Sequence, residues 1–219
     1  MARSDELKAS PPMFESRLLD RFTRVHPAVP PLLFGPVITY MLIDGIERVG
    51  ALNAIGLAAG GYVFWTLFEY WLHRLVFHFE PQKGLGARLH WMIHGVHHDH
   101  PNDPLRLVMP PSVSVPLGAL MLWGFAAVLG YDATLVFGGA FLSGYLAYDM
   151  LHYHVHHHTP RTALGRRLRE LHMRHHFQDD ERGFGISAPY WDTVFGTAPQ
   201  RSGNRAPGQA AHGRDAAGG

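Results

Sequence analysis

The chain of 219 residues contains no cysteine. That excludes a disulfide framework, thiolate metal ligands and a cysteine nucleophile, and it leaves the compartment open. It also has almost no net charge: 19 Lys and Arg stand against 18 Asp and Glu. No basic surface therefore argues for a nucleic-acid partner. The first 25 residues carry Asp5, Glu6, Glu15 and Asp20 among their basic groups, and they lack the apolar core and small-residue cleavage site of a signal peptide. A mean hydropathy near zero conceals strong segregation. Apolar residues gather in two blocks, over 27–72 and 107–151, and polar segments fill the gaps.

The blocks resolve into four candidate helical spans, at 31–43, 51–72, 112–130 and 133–150. A bilayer core needs roughly 20 apolar residues. The first span is short by that standard and the fourth only just reaches it. Breaks at 47–50 and 130–132 pair the spans into two hairpins with tight turns. Both termini and the 73–110 loop then lie on the face opposite the turns. Of 19 Lys and Arg, Arg48 alone falls in a turn, which puts the termini and the loop on the cytoplasmic side. The expected fold class is all-α and membrane-integral: four transmembrane helices in two hairpins under a cytosolic helical cap, in the inner membrane of a bacterium. The expected divisions are an N-terminal segment (1–26), a membrane domain (27–198) and a disordered Gly-, Ala- and Pro-rich tail (199–219).

Histidine is what the chain has in excess. All of its 17 histidines except His26 and His212 lie between His73 and His176. They form an HxxxxH after span two (His73, His78), an HxxHH (His94, His97, His98), an HxxxH after span four (His152, His156) and a second HxxHH (His172, His175, His176). Residues three and four apart share a helix face. Each HxxHH is therefore expected to point one way, as is the pair His152 and His156. His73 and His78 diverge around an α-helix, which suits a helix end or ligands to two different metals. Imidazole binds Zn, Cu, Fe and Ni, and ten such rings are too many for one closed zinc site. Shared between two ions they supply about five each and leave a position open, a count that favours octahedral iron. Asp99, Asp149, Asp179 and Asp180 are candidates to accept the far N–H of a ligand ring. His90, His100, His154, His157 and His158 fall outside the motifs and are read as lying behind the ligands or on the surface, with His157 the first candidate for a further role. Trp65, Tyr70 and Trp71 are read as an aromatic belt rather than a lipid groove. Glu69 is read as an interfacial carboxylate facing water rather than a group that orients His73.

The order HxxxxH, HxxHH, HxxxH, HxxHH resembles that of the fatty acid hydroxylase and sterol desaturase superfamily. The flanking runs NDPLRLVMPP (102–111), YDMLH (148–152), FGISAPYWDTVFGT (184–197) and MFESRLL (13–19) look like those of the fatty acid 2-hydroxylases that act on sphingolipid acyl chains. The resemblance covers about residues 11–198. It implies metal ligands at His73, His78, His94, His97, His98, His152, His156, His172, His175 and His176. It also implies a di-iron centre, molecular oxygen as co-substrate and a 2-hydroxy acyl chain in a ceramide or related lipid as product. Histidine sites of this kind also take zinc during purification, and zinc is redox-silent. The yeast and animal relatives carry an N-terminal haem domain. Here about 30 residues holding only His26 precede the first span, so the expected electron donor is a separate protein. Competing readings are another lipid oxidation in the same superfamily (sphingoid-base, sterol or carotenoid chemistry, or desaturation) and a metal transporter. A transporter places its ionisable residues inside the spans, whereas these histidines follow the span ends.

Overall fold

The computed structural model describes residues 3–200, with side chains from residue 5. The expectation of a disordered tail thus falls almost wholly outside the described residues. Short helices α1 (Arg3–Glu6) and α2 (Arg17–Phe22) lead into two long helices, α3 (Val29–Val49) and α4 (Ala51–Leu72). A π-helical turn, His73–Phe77, extends α4. Then follow α5 (Gly84–His90), a second π-helical turn Trp91–Gly95, and α6 (Val96–Asp99). The second long pair is α7 (Pro111–Leu129) and α8 (Tyr131–His157), and α9 (Ala163–Phe177) and α10 (Tyr190–Val194) complete the chain. No strand occurs among the described residues.

Four helices are long and apolar enough to cross a membrane: Val29–Val49, Ala51–Phe77, Pro111–Leu129 and Tyr131–His157. At 1.5 Å per residue, about 20 residues reach the roughly 30 Å of a hydrocarbon core. The first and fourth spans are longer than their apolar runs. Prolines 30 and 31 are accommodated in the first turn of α3, where no intrahelical N–H is needed. At its other end Asp44 and Arg48 pair across one turn, 2.9 Å apart. Helix α8 likewise continues through the whole third histidine cluster. Apolar counting stops at the first polar residue, but backbone hydrogen bonding does not.

Each hairpin turns on a single glycine in the left-handed region, Gly50 (φ 79°) and Gly130 (φ 79°), where a side chain would be strained. Helix α8 is the centre of the bundle. Two thirds of its span is buried, 67%, against 17–28% for the other three. Those three turn side chains such as Leu52, Trp123 and Val128 outward, as lipid-facing surfaces do. Close approach of α4 to α8 depends on small residues: a Cβ at Gly61 would sit 2.1 Å from the Phe137 carbonyl oxygen. Trp65, Phe141 and Tyr145 fill the core beside this contact.

The N-terminal segment is stitched to the loop that precedes α7. Asn102 N–H donates to the Leu7 carbonyl (2.9 Å) and Val25 N–H to the Leu105 carbonyl (2.6 Å). Arg106, its side chain 2% exposed, pairs with Asp20 at 2.9 Å and also donates to the Pro11 carbonyl. The Asp20 carboxylate accepts from Met13 N–H as well (2.7 Å).

Candidate metal centre

The ten motif histidines converge as two groups of five. His73, His78, His94, His98 and His175 form the first, and His97, His152, His156, His172 and His176 the second. Within each group the donor nitrogens lie within 4.8 Å of one another. The groups adjoin, with the rings of His98 and His176 4.3 Å apart.

Local helix geometry explains the membership and corrects two expectations. His73 and His78 serve the same group, because the π-helical turn between them brings residues five apart onto one face. Their Nε2 atoms are 3.2 Å apart. Neither HxxHH points one way. His94 and His98 join the first group while His97 joins the second; His172 and His176 join the second while His175 joins the first. On a helix advancing about 100° per residue, position i+4 lies about 40° to one side of i, and i+3 about 60° to the other. The i, i+4 pair therefore shares one group, and the ring between is turned toward the other. His152 and His156, four apart on α8, do stay together.

The donor set fits metal ions. Burial, aided for most of them by neighbouring imidazoles, holds His94, His97, His172 and His176 well below their ordinary 6.5, and burial pushes His175 down to about 4. Neutral rings keep a lone pair. His73 donates Nδ1–H to the Phe184 carbonyl (2.8 Å) and His175 donates Nδ1–H to the Arg182 carbonyl (2.8 Å). Their Nε2 lone pairs then face the Nε2 of His78, at 3.2 and 3.1 Å. His78 has one proton at most to offer there, so a cation is what such a cluster accommodates. In the second group Nε2 of His97 lies 3.0 Å from those of His152 and His176. The other Nε2 separations run from 2.7 Å, between His156 and His172, to 3.2 Å, between His94 and His78, close enough for one small cation to meet the rings of each group.

The other candidates occupy varied places. Asp149 is 1% exposed and accepts Met109 N–H (3.2 Å) and the Tyr145 hydroxyl (3.4 Å). Asp99 accepts from the indole of Trp91 (3.0 Å), and Asp179 pairs with Arg182. His90 bonds the Phe77 carbonyl at 2.7 Å, tying the two π-helical turns together. His157 belongs to neither group. Glu69 does not face water: it is 2% exposed and accepts both the N–H (2.8 Å) and the hydroxyl of Ser187. Trp65 and Tyr70 are core residues, 4% and 0% exposed, rather than a belt. Residues 183–197 fold back over Glu69 and Tyr70, and Trp65 packs against Phe141, Tyr145 and Tyr148 of α8. Spacing arguments do not find Asp192 or the carbonyls of Arg182 and Phe184: Asp192 and Arg182 act through backbone groups that no side-chain motif marks, and Phe184 meets His73 across 111 residues.

A cavity of about 470 Å³ reaches both groups, within the roughly 300–1,000 Å³ of small-molecule sites. His94 of the first group and His97 and His152 of the second line it, beside Tyr148 and Asp149. Its remaining wall is largely apolar: Met13, Phe14, Leu19 and Phe22 from the N-terminal segment, Leu89, Met92 and Ile93 from the cap, and Leu107, Val108, Met109 and Val113 at the start of α7.

A four-helix membrane bundle with a paired all-histidine centre and an apolar cavity defines a membrane metalloenzyme acting on a lipid-like substrate. The fatty acid hydroxylase family model matches residues 58–197, and the chain belongs to that family. It is 36% identical over 195 residues to the dihydroceramide fatty acyl 2-hydroxylase FAH1 of Arabidopsis thaliana, covering 88% of this chain and 81% of that one. It is 37% identical over 194 residues to the ceramide very long chain fatty acid hydroxylase SCS7 of Saccharomyces cerevisiae, covering 87% of this chain and 50% of that one. The solved hydroxylase domain of scs7p superposes with a TM-score of 0.80 at 34% identity, over 83% of this chain and 70% of that one.

Proposed function

We propose that the protein hydroxylates carbon 2 of the fatty acyl group of a ceramide or related sphingolipid, with two iron ions held by the two histidine groups. The observation that carries this reading is a cavity whose wall includes His94 of the first group and His97 and His152 of the second and is otherwise mostly apolar. The similarity to ceramide and dihydroceramide hydroxylases supports the substrate class.

His73, His78, His94, His98 and His175 would hold the first ion, and His97, His152, His156, His172 and His176 the second. Five neutral imidazoles for each ion are more than the four ligands of a closed zinc site, and this count favours iron. When bound, the two ions supply the redox chemistry that activates molecular oxygen for insertion into a C–H bond. Each hydroxyl group formed consumes one oxygen molecule, two electrons and two protons, with water as the second product.

The chain's own residues position and exclude. The apolar wall around Met92, Ile93, Val108 and Met109 takes the acyl chain and keeps water from the reacting carbon. Met109 is fixed through its N–H on the buried Asp149 carboxylate, so the wall is anchored one helix turn from His152. The histidine groups and the 73–110 segment face the cytoplasm, with Arg48 as the lone cation of the opposite turns. A cysteine introduced at Ala51, into a chain that has none, should be labelled only from the far side of the membrane.

Lipid mass spectrometry of cells expressing the chain tests the activity. One added oxygen on ceramide acyl chains, placed at carbon 2 by fragmentation and lost in the double variant His94→Ala, His97→Ala, is the expected result. No added oxygen with donor and lipid present would overturn the assignment.

A further inference from the structure

Asp192 lies in α10, outside both histidine groups, yet it is 1% exposed and its carboxylate accepts three hydrogen bonds. Oδ1 takes Phe184 N–H (2.9 Å) and the Thr197 hydroxyl (2.8 Å), and Oδ2 takes Gly185 N–H (2.9 Å). The peptide it grips is the one that holds a ligand. The Phe184 carbonyl accepts Nδ1–H of His73 at 2.8 Å, and the preceding residue but one, Arg182, presents its carbonyl to Nδ1–H of His175 at 2.8 Å. Both rings belong to the first group.

The loop has no slack. Gly183 sits at φ +85°, and a Cβ at Gly185 would meet the Ala188 carbonyl oxygen at 2.5 Å. Thr197 closes the strap from the other side: its N–H donates to the Asp192 carbonyl (2.7 Å) and its carbonyl accepts Gly183 N–H (2.9 Å). The chain of donors continues outward, with the Tyr70 hydroxyl 2.8 Å from the Thr197 hydroxyl and Arg74 donating to Tyr70 at 3.0 Å. The second group has no such support at three of its rings. Nδ1 of His156, His172 and His176 is buried and meets no protein acceptor.

We infer that Asp192 is a positioning residue for the first metal site alone: by clamping residues 183–185 it aims two backbone carbonyls at His73 and His175, fixing their tautomer and ring orientation. This rests on the reading of the two groups as metal sites. Partners behind a ligand are worth about 10–100-fold in metal affinity. Asp192→Asn keeps the shape but replaces one acceptor oxygen with an NH2 group, which opposes an N–H donor of the loop whichever way the amide turns.

The test is a zinc titration of the full-length protein in lipid nanodiscs, wild type beside Asp192→Asn, with bound metal counted by elemental analysis and located by anomalous scattering from crystals. The wild type is expected to hold two ions. The variant is expected to need about 10–100-fold more zinc to half-fill the first site, with the second site unchanged. Thr197→Val, which removes one of the three donors, should shift the same site less and serves if Asp192→Asn does not fold. Equal weakening of both sites, or no shift in either, overturns the role of Asp192. A wild type that binds no zinc overturns the metal-centre reading on which it rests.

Discussion

The two histidine groups are built by different means. Four rings of the second come from α-helical periodicity, His152 and His156 on α8 and His172 and His176 on α9, each pair four residues apart, and only His97 comes from the cap. The first is a product of irregular backbone. A π-helical turn aligns His73 with His78, another carries His94, and two rings lean on carbonyls from a loop more than a hundred residues downstream of His73. Regular helices position ligands without help from elsewhere. The irregular group needs a strap, and residues 182–197 provide it. The same strap covers α4 through Glu69 and Ser187 and through the Tyr190 and Trp191 bonds to Thr66.

The largest expected effect treats the groups alike. Chelating both ions should abolish hydroxylation and lower stability, by about 4 kcal/mol for each ion if metal had stood at 1,000 times its dissociation constant. Ferrous iron should restore activity and melting temperature, and zinc only the melting temperature; thermal unfolding and product analysis in parallel check this. Next comes the contrast itself. In graded chelation, the second group should release its ion at a chelator concentration about tenfold lower, because three of its rings lack a protein acceptor. Anomalous scattering at partial occupancy reads which ion leaves first, and simultaneous release would break the contrast.

A smaller effect is expected at the strap's other anchor. Glu69→Gln disturbs the two hydrogen bonds that the buried Glu69 carboxyl accepts from Ser187, each worth about 0.5–1.5 kcal/mol. Melting temperature should fall by several degrees, and zinc affinity should weaken in the first group only. The smallest effect lies away from both groups. Burial raises the Asp20 carboxyl, but the Met13 N–H, Arg24 and Arg106 outweigh it and hold the group below its ordinary 3.8. A depressed carboxyl contributes stability that is complete above the unfolded value and lost as pH falls through the folded one. The difference in unfolding midpoint between wild type and Asp20→Asn should therefore be constant above about pH 5 and shrink below pH 3.8, with metal content at neutral pH unchanged.

Much of this was legible in the sequence. Two apolar blocks with glycine turns at Gly50 and Gly130 gave the hairpins, because helices in lipid must satisfy their own backbone and stop only where a residue permits a sharp turn. Span ends were misjudged where polar side chains ride on an unbroken helix, as at Asp44 and throughout 151–157. The histidine motifs marked the ligand candidates, but the HxxHH patterns do not say that each divides between two groups. That depends on where the second ion's other rings stand. Glu69 looked like a surface carboxylate because nothing near it in sequence reveals Ser187, 118 residues away.

The sequence by itself determined the class of site: neutral nitrogen donors, no thiolates, enough rings for two ions and a location at the ends of apolar spans. These follow from composition and short-range spacing, which act along one helix. The tertiary structure decided which ring serves which group, how the cavity meets both, and that Asp192 and two backbone carbonyls stand behind His73 and His175. Those depend on contacts between segments far apart in the chain. Burial makes such contacts obligatory, because a ring N–H or carboxylate removed from water must find its partner wherever the fold brings one.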